Sequence, residues 1–259
     1  MRNGMNGRIT ITQGDCLELF DGIADGSVDA IITDPPFGIS QDKREIDRSN
    51  ASSPSMRRDS SVRLDFGEWD KFASRELFVD FTRKWMYHAA RKLKDGGSFV
   101  SFFDQANISL LNWIGEECGI VTRTMFTWHK TNPVPSMQQC NYLSSCEWVF
   151  IGSKGKDWTF NFTKQNAMHN FFETANKSVY GLTDHPNEKP LALMEHFVKV
   201  HTREDDIVLD PFVGSGTTAV ACHNTFRRFV GFERDEVYCA MAKKRVENAE
   251  RSGVQQSLF

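Results

Sequence analysis

The stretch "TDPPFG", residues 33 to 38, gathers the residue types needed to hold a flat polar ring. Asp34 supplies a carboxylate, Pro35 and Pro36 supply stiffness, and Phe37 supplies a π face. Two successive prolines cannot donate to a ladder, so the apolar run "VDAIIT" before them must end as a strand there. A plain Asp-Pro turn would need no further explanation. A rigid clamp, with carboxylate, carbonyl and ring fixed relative to one another, would explain all four residues together.

The second chemical stretch is "VLDPFVGSGTTAVA", residues 208 to 221. Gly214, Gly216 and Ala219 fit the G-x-G-x-x-G/A fingerprint, and Glu233 follows at the roughly 20-residue spacing of a ribose-binding acid. Taken alone, this pattern fits a nicotinamide or flavin enzyme. Two features resist a pyrophosphate. Asp210 precedes the loop and would repel it. Only one more strand and helix follow, so no second nucleotide-binding half comes after. A nucleoside carrying an amino acid fits better. Its ammonium suits Asp210, its carboxylate suits the helix N-terminus with the Thr217 and Thr218 hydroxyls, and its ribose suits Glu233. That ligand is S-adenosyl-L-methionine.

Elements must position these two stretches. "RITITQGD" reads as a strand and turn, "VDAIITD" as a buried strand. "ELFVDFTRKWMYHAARKLKDGG" reads as a helix with Leu77, Phe81, Trp85, Ala89 and Leu93 on one stripe, stopped by Gly96-Gly97. "SFVSFF" is a strand and "ISLLNWIGEECG" a helix. "IVTRTMFTWHK" and "CEWVFIGSK" read as a long strand pair. "PLALMEHFVKVH" is a helix opened by Pro190, followed by the strand "IVLDPF", the helix "GTTAVACHNTF", the strand "RFVGFE" and a last helix, "EVYCAMAKKRVENAE". Strand–helix alternation predicts a single α/β domain: a doubly wound, mostly parallel sheet with the antiparallel pair at one edge. Residues 41 to 65 are polar and rich in Ser, Arg and Asp, and read as a mobile loop. Residues 132 to 185 are partly irregular and form a candidate target-recognition region.

The bulk composition excludes several classes. The 259 residues are 40% apolar and 25% charged, ordinary for a globular protein. No apolar run reaches membrane-spanning length, and "MRNGMNGR" has no signal-like apolar region. Six cysteines without a C-x-x-C pair read as reduced thiols, which points to the cytoplasm and away from a metal site. A net charge of −3 gives no global pull on nucleic acid, so any phosphate contacts must be local.

With both stretches in hand, the chain resembles the β-class DNA amino-methyltransferases over roughly residues 8 to 248. "QGDCLELF" resembles the segment that contacts the cofactor adenine, which implies roles for Asp15 and Cys16. "DPPF" resembles the catalytic motif. "LKDGGSFV" and "FTWHKTNPVPS" resemble the strands beyond it, and "HPNEKPLALMEHFV" the segment that lines the cofactor loop. "DPFVGSGTT" and "GFERD" complete the resemblance and add Phe212 and Ser215 to the cofactor set. The order of motifs is permuted: the catalytic motif precedes the cofactor loop. Phe37 departs from the more usual Tyr or Trp, which keeps stacking but makes a hydroxyl dispensable.

The resemblance implies a methyltransferase-like sheet, S-adenosyl-L-methionine as methyl donor, double-stranded DNA as substrate and a restriction–modification setting. An exocyclic base amine is a poor nucleophile because its lone pair is delocalised into the ring. Asp34 and the Pro35 carbonyl would accept its two N–H groups and aim the lone pair at the sulfonium methyl. Phe37 would stack a base flipped out of the duplex. Members acting on cytosine N4 more often carry Ser before Pro-Pro, so Asp34 favours adenine N6. Cytosine N4 and a catalytically silent DNA-binding module are the alternatives.

Other residues are open to two readings. Trp128, His129 and Lys130 could reach base or phosphate, or form the solvated end of an edge strand. His185 and Lys189 could bind the cofactor carboxylate or the DNA backbone, or lie in a solvated loop. A homodimer is open. The tail "QQSLF", Gln255 to Phe259, resembles the short peptides that dock on the bacterial sliding clamp, with Leu258 and Phe259 as apolar anchors. The last helix is expected to stop near Arg251, before Ser252-Gly253.

Overall fold

The computed structural model describes residues 8–38, 70–135, 142–176 and 188–256, with side chains to residue 252. The strands are β1 (Ile9–Gln13), β2 (Val28–Thr33), β3 (Leu93–Phe103), β4 (Ile120–Lys130), β5 (Cys146–Lys154), β6 (Phe171–Thr174), β7 (Ile207–Asp210) and β8 (Arg228–Glu233). The α-helices are α1 (Cys16–Leu19), α2 (Arg75–Lys92), α3 (Ile108–Glu117), α4 (Leu191–His201), α5 (Thr217–Asn224) and α6 (Glu236–Gln256). One 8-stranded sheet runs in the order β1-β8-β7-β2-β3-β5-β4-β6.

Every strand pairing is parallel except those of β5, which is antiparallel to both β3 and β4. The reversed strand therefore lies inside the sheet and not at its edge. The edge is the short β6, whose four residues alternate between exposed and half-buried. That alternation is too brief to stand out from its polar, aromatic surroundings, so periodicity alone does not reveal this strand.

Two apolar cores cover the two faces. Phe20, Phe78, Trp85, Met86, Ala89 and Ile114 pack against Ile31 and Phe99 on one side. Leu193, Phe197, Ala219, Ala242 and Val246 pack against Ile32, Val100 and Phe229 on the other. Helices α1 to α3 thus cover one face and α4 to α6 the opposite face. The central strands β2, β7 and β8 are mostly apolar runs because neither face meets water.

Helix α2 begins at Ser74, whose side chain accepts from Leu77 N, and ends at Lys92, short of the glycine pair. Its buried stripe is Phe78, Thr82, Trp85, Met86 and Ala89, while Leu77 is 53% exposed. Leu93 opens β3, paired with Val28. The next apolar run belongs to a sheet interior, and strand pairing overrides the glycine stop. Helix α6 likewise runs past Ser252-Gly253 to Gln256. The loop expected at 41 to 65, residues 136 to 141 and 177 to 185 of the recognition region with the candidate His185 among them, and the tip Ser257 to Phe259 of the clamp-like tail lie outside the described residues.

Candidate active site

The site lies where the chain changes winding direction. Strand β2 leads to β3 on one side, and β7 leads to β8 on the other. Between β2 and β7, paired through Ile31 and Leu209, a crevice opens at the carboxyl ends of the strands. Open α/β sheets bind ligands at such a switch point. Thr33 and Asp210 end the two strands, and the Thr33 hydroxyl donates to Asp210 Oδ1 across the crevice at 2.7 Å. The permuted motif order costs nothing here, because adjacency in the sheet replaces adjacency in sequence.

A cavity of about 280 Å³ occupies the crevice and brings together both chemical stretches. Its wall includes Asp15, Cys16, Asp34, Pro35, Pro36, Phe37, Lys189, Asp210, Phe212, Gly214, Ser215, Thr217, Thr218 and Glu233. Of the expected site residues, Gly216 alone is absent from the wall. A Cβ built on it would stand 2.8 Å from Ala242 Cβ of α6, and its φ is +84°. Gly216 thus serves close loop–helix packing and a left-handed turn.

Asp15 caps α1, with its carboxylate accepting from Leu17 N at 2.9 Å, and buried Cys16 follows it. Burial, with Asp15 beside it, pushes the Cys16 thiol up to about 12, so it presents a neutral S–H. Gly214 N donates to Glu233 Oε2 at 2.7 Å, and Asp235 N donates to Oε1 at 2.8 Å. Glu233 therefore holds the glycine loop while retaining lone pairs toward the cavity. Thr217 and Thr218 are buried in the first turn of α5, next to free helix N–H groups. Asp210 is 2% exposed, and burial pushes its carboxyl up to about 7 against the hydrogen bonds from Thr33, Phe212 N and Thr218. These groups fit an amino-acid nucleoside: an acid awaiting a cation, donors at a helix start and a ribose acceptor.

At the catalytic stretch, Asp34 Oδ2 accepts from Lys189 Nζ at 2.5 Å, and Asp34 Oδ1 has no partner although it is buried. Pro35 and Pro36 are buried and Phe37 is half-buried, edge-on to Phe103 at 5.7 Å. Phe37 N and Gly38 N both donate to Asp70 Oδ1, at 2.7 and 2.8 Å. Burial lifts the Asp34 carboxyl above its ordinary range; Lys189 opposes the lift, and Glu147 and Asp70 add to it. Lys189 is 5% exposed, which rules out the solvated-loop reading, and it reaches Glu147 Oε2 at 3.4 Å, an ion pair without hydrogen-bond geometry.

Sequence reasoning missed Asp70, Glu147 and Arg245. Arg245 of α6 donates to Ser215 O at 2.8 Å and to Glu188 at 3.1 Å, bracing the glycine loop from behind. The available signals were a lone acid opening the apolar run "CEWVF" and another in "GEWDKF". Trp128, His129 and Lys130 do not form a solvated edge. Trp128 is 1% exposed, His129 Nδ1 bonds Glu173 of β6 at 2.8 Å, and Lys130 pairs with Glu147 at 2.9 Å. Among the described residues no acid–thiol–imidazole group could hold a metal ion, and no helix is long and apolar enough to cross a membrane.

Fold and site define a methyltransferase of the doubly wound α/β type with an amino-acid nucleoside pocket. Comparison with known proteins places it further. A DNA methylase family model, that of the N6 and N4 methyltransferases, matches residues 28–244, and the chain belongs to that family. The type II methyltransferase M2.LlaDCHI of Lactococcus lactis subsp. cremoris is 30% identical over 256 residues, 94% of this chain and 91% of that one. M2.MboI of Moraxella bovis, also a type II methyltransferase, is 28% identical over 248 residues, 91% and 86% of the two chains. The M1.HpyAVI–SAM complex is 30% identical with a TM-score of 0.69, covering 92% of this chain and 98% of that one. The protein is an S-adenosyl-L-methionine-dependent DNA amino-methyltransferase.

Proposed function

We propose that the enzyme methylates the N6 amine of an adenine flipped out of double-stranded DNA. The observation that supports this best is the buried Asp34 Oδ1, left without a partner at the cavity wall while Oδ2 is held by Lys189. A buried carboxylate oxygen is costly to leave unpaired, so the site favours a ligand that donates there. S-adenosyl-L-methionine supplies an electrophilic methyl group on its sulfonium when bound. The chain's residues do the rest. Asp210, Thr217, Thr218 and Glu233 fix the donor, with Asp15 and Cys16 at its adenine end. Asp34 Oδ1 and the Pro35 carbonyl accept the two amine hydrogens and turn the nitrogen lone pair out of the ring plane. Asp34 then receives the proton that the methylated amine sheds. Phe37 stacks the base, and Asp70 holds Phe37 and Gly38 in place by their backbone.

The carboxylate before Pro-Pro supports adenine over cytosine, because family members acting on cytosine N4 more often carry Ser there. The test is incubation with labelled S-adenosyl-L-methionine and unmethylated plasmid DNA, followed by nucleoside mass spectrometry. N6-methyl-2′-deoxyadenosine is expected. N4-methylcytosine in its place would transfer the same geometry to the smaller ring and overturn the adenine assignment.

A further inference from the structure

Four charged side chains lie in one line beneath the target-amine position: Asp34, Lys189, Glu147 and Lys130. Glu147 opens β5, and because β5 is reversed, its first residues lie at the same end of the sheet as Asp34. The links are Asp34 Oδ2 to Lys189 Nζ at 2.5 Å, Lys189 Nζ to Glu147 Oε2 at 3.4 Å, and Glu147 Oε1 to Lys130 Nζ at 2.9 Å. Side-chain exposures of 26%, 5%, 15% and 13% along the chain keep water from screening it. Lys189 also lies 5.0 Å over the Phe102 ring and 6.0 Å from the Phe37 ring, so its ammonium has little room to turn.

We infer that Glu147 is a positioning residue for methyl transfer: as a second carboxylate facing the Lys189 ammonium, it offsets part of that charge, so that Lys189 orients the catalytic carboxylate through Oδ2 without neutralising Oδ1 as the acceptor of the target amine. The inference rests on the transfer reaction proposed above and assigns it a residue outside the two motifs. Lys189 already pairs tightly with Asp34 through Oδ2, and without Glu147 the whole of its charge would bear on that one carboxylate. Glu147 divides that ammonium between two carboxylates, and Lys130 in turn keeps Glu147 from being an uncompensated buried charge. The charged groups bearing on Asp34 are Lys189 before α4, Glu147 on β5, Asp70 before α2 and Asp210 at the end of β7; those bearing on Glu147 are Lys189 and Lys130. Lys189 favours the ionised Asp34 and Glu147 opposes it.

Opposite signs give the test. Single-turnover methyl transfer to unmethylated plasmid DNA is followed across pH, with binding of S-adenosylhomocysteine measured by calorimetry on the same samples. Lys189→Met should move the acid limb of the transfer rate upward by about 1–3 pH units, the usual reach of one close opposite charge. Its plateau should fall by about 10–100-fold as Asp34 loses its orientation. Glu147→Gln should move the limb the other way, downward by a smaller amount, and slow the plateau. Glu147→Asp should restore the wild-type limb. All folded variants should bind S-adenosylhomocysteine within a few-fold of wild type. If Glu147→Gln fails to fold, Lys130→Met replaces it, and its limb should move upward because Glu147 is then less compensated. Limbs that coincide in all variants, or that move in one direction for both Lys189→Met and Glu147→Gln, would overturn the inference and leave the transfer reaction standing. A wild-type protein that transfers no methyl group to DNA would overturn both.

Discussion

Three side chains test the proposed chemistry in separable ways. Asp34→Ala removes the acceptor of the target amine and should cost about 10²–10³-fold or more in transfer rate, the range for losing one preorganised polar group. Cofactor affinity, measured by calorimetry, should stay near wild type, because the glycine loop is held by Glu233 and Arg245 and not by Asp34. Phe37→Tyr should be tolerated, since the ring sits edge-on to Phe103 and half-exposed to the cavity. Phe37→Ala should lose about 1–3 kcal/mol of base stacking. Equal transfer rates for Phe, Tyr and Ala would remove stacking from the role of this position. Asp210 gives a pH signature. Its carboxyl, pushed up to about 7 by burial, is half protonated near neutrality in the free protein. If it meets the cofactor ammonium, affinity should strengthen as pH rises from 6 to 8, by up to roughly tenfold per unit below the transition. Asp210→Asn should bind more weakly and without that slope. A sloped titration in the asparagine variant would assign the titration to another group.

Among the elements, the junction of the glycine loop with α6 is the most sensitive. Gly216 has φ +84° and no room for a Cβ beside Ala242 Cα at 2.9 Å. Gly216→Val would force a β-branched residue into a left-handed conformation and push α6 outward. It should lower thermal stability and cofactor affinity together, whereas a residue shaped only by the ligand would affect affinity alone. Melting curves with and without S-adenosylhomocysteine separate these outcomes. Strand β5 carries a second constraint: a Cβ on Gly152 would lie 2.5 Å from Ile120 Cγ2, where α3 turns into β4. The reversed strand is thus pinned between its neighbours by a missing side chain, and that register is what delivers Glu147 to the catalytic end of the sheet.

On the scale of the whole molecule, stability and pH are linked through two buried groups of opposite sense. Asp210 has a raised pKa, so the fold keeps a proton that the unfolded chain releases, and its contribution falls as pH rises from about 4 to about 7. His201, 3% exposed among Trp158, Phe160 and Phe197, is pushed down to about 3 by burial. Its fold must shed a proton that the unfolded chain holds, so its contribution is lost as pH falls from about 6.5 to about 3. Each spans more than three pH units, on the order of 4 kcal/mol, and over the shared window they oppose each other. Asp210→Asn should therefore steepen the loss of stability on acidification between pH 6.5 and 4, and His201→Phe should reduce or reverse it. Denaturant midpoints at three pH values suffice, and parallel profiles for both variants would contradict the linkage. Cofactor should add to stability by mass action, about 2.7 kcal/mol at a hundredfold excess over Kd.

Local chemistry was legible in the sequence because it depends on neighbours along the chain. The Pro-Pro stop after "VDAIIT", the glycine turn at 214 to 216 and the acid at the end of "RFVGFE" each declare a strand end and a ligand group within a few residues. Apolar alternation with amphipathic helices likewise implied a doubly wound sheet. The reversed strand's interior place, the exposed Leu77 and the four-residue β6 were decided by pairing and packing partners far away in sequence. So were the Asp70 latch, the Arg245 brace and the Glu147–Lys189–Asp34 line, whose members come from separate elements. Periodicity records which residues are buried, and motifs record which groups act. Neither records which charge lies across the crevice from which, because that distance exists only once the sheet has closed the gap between β2, β5 and the start of α4.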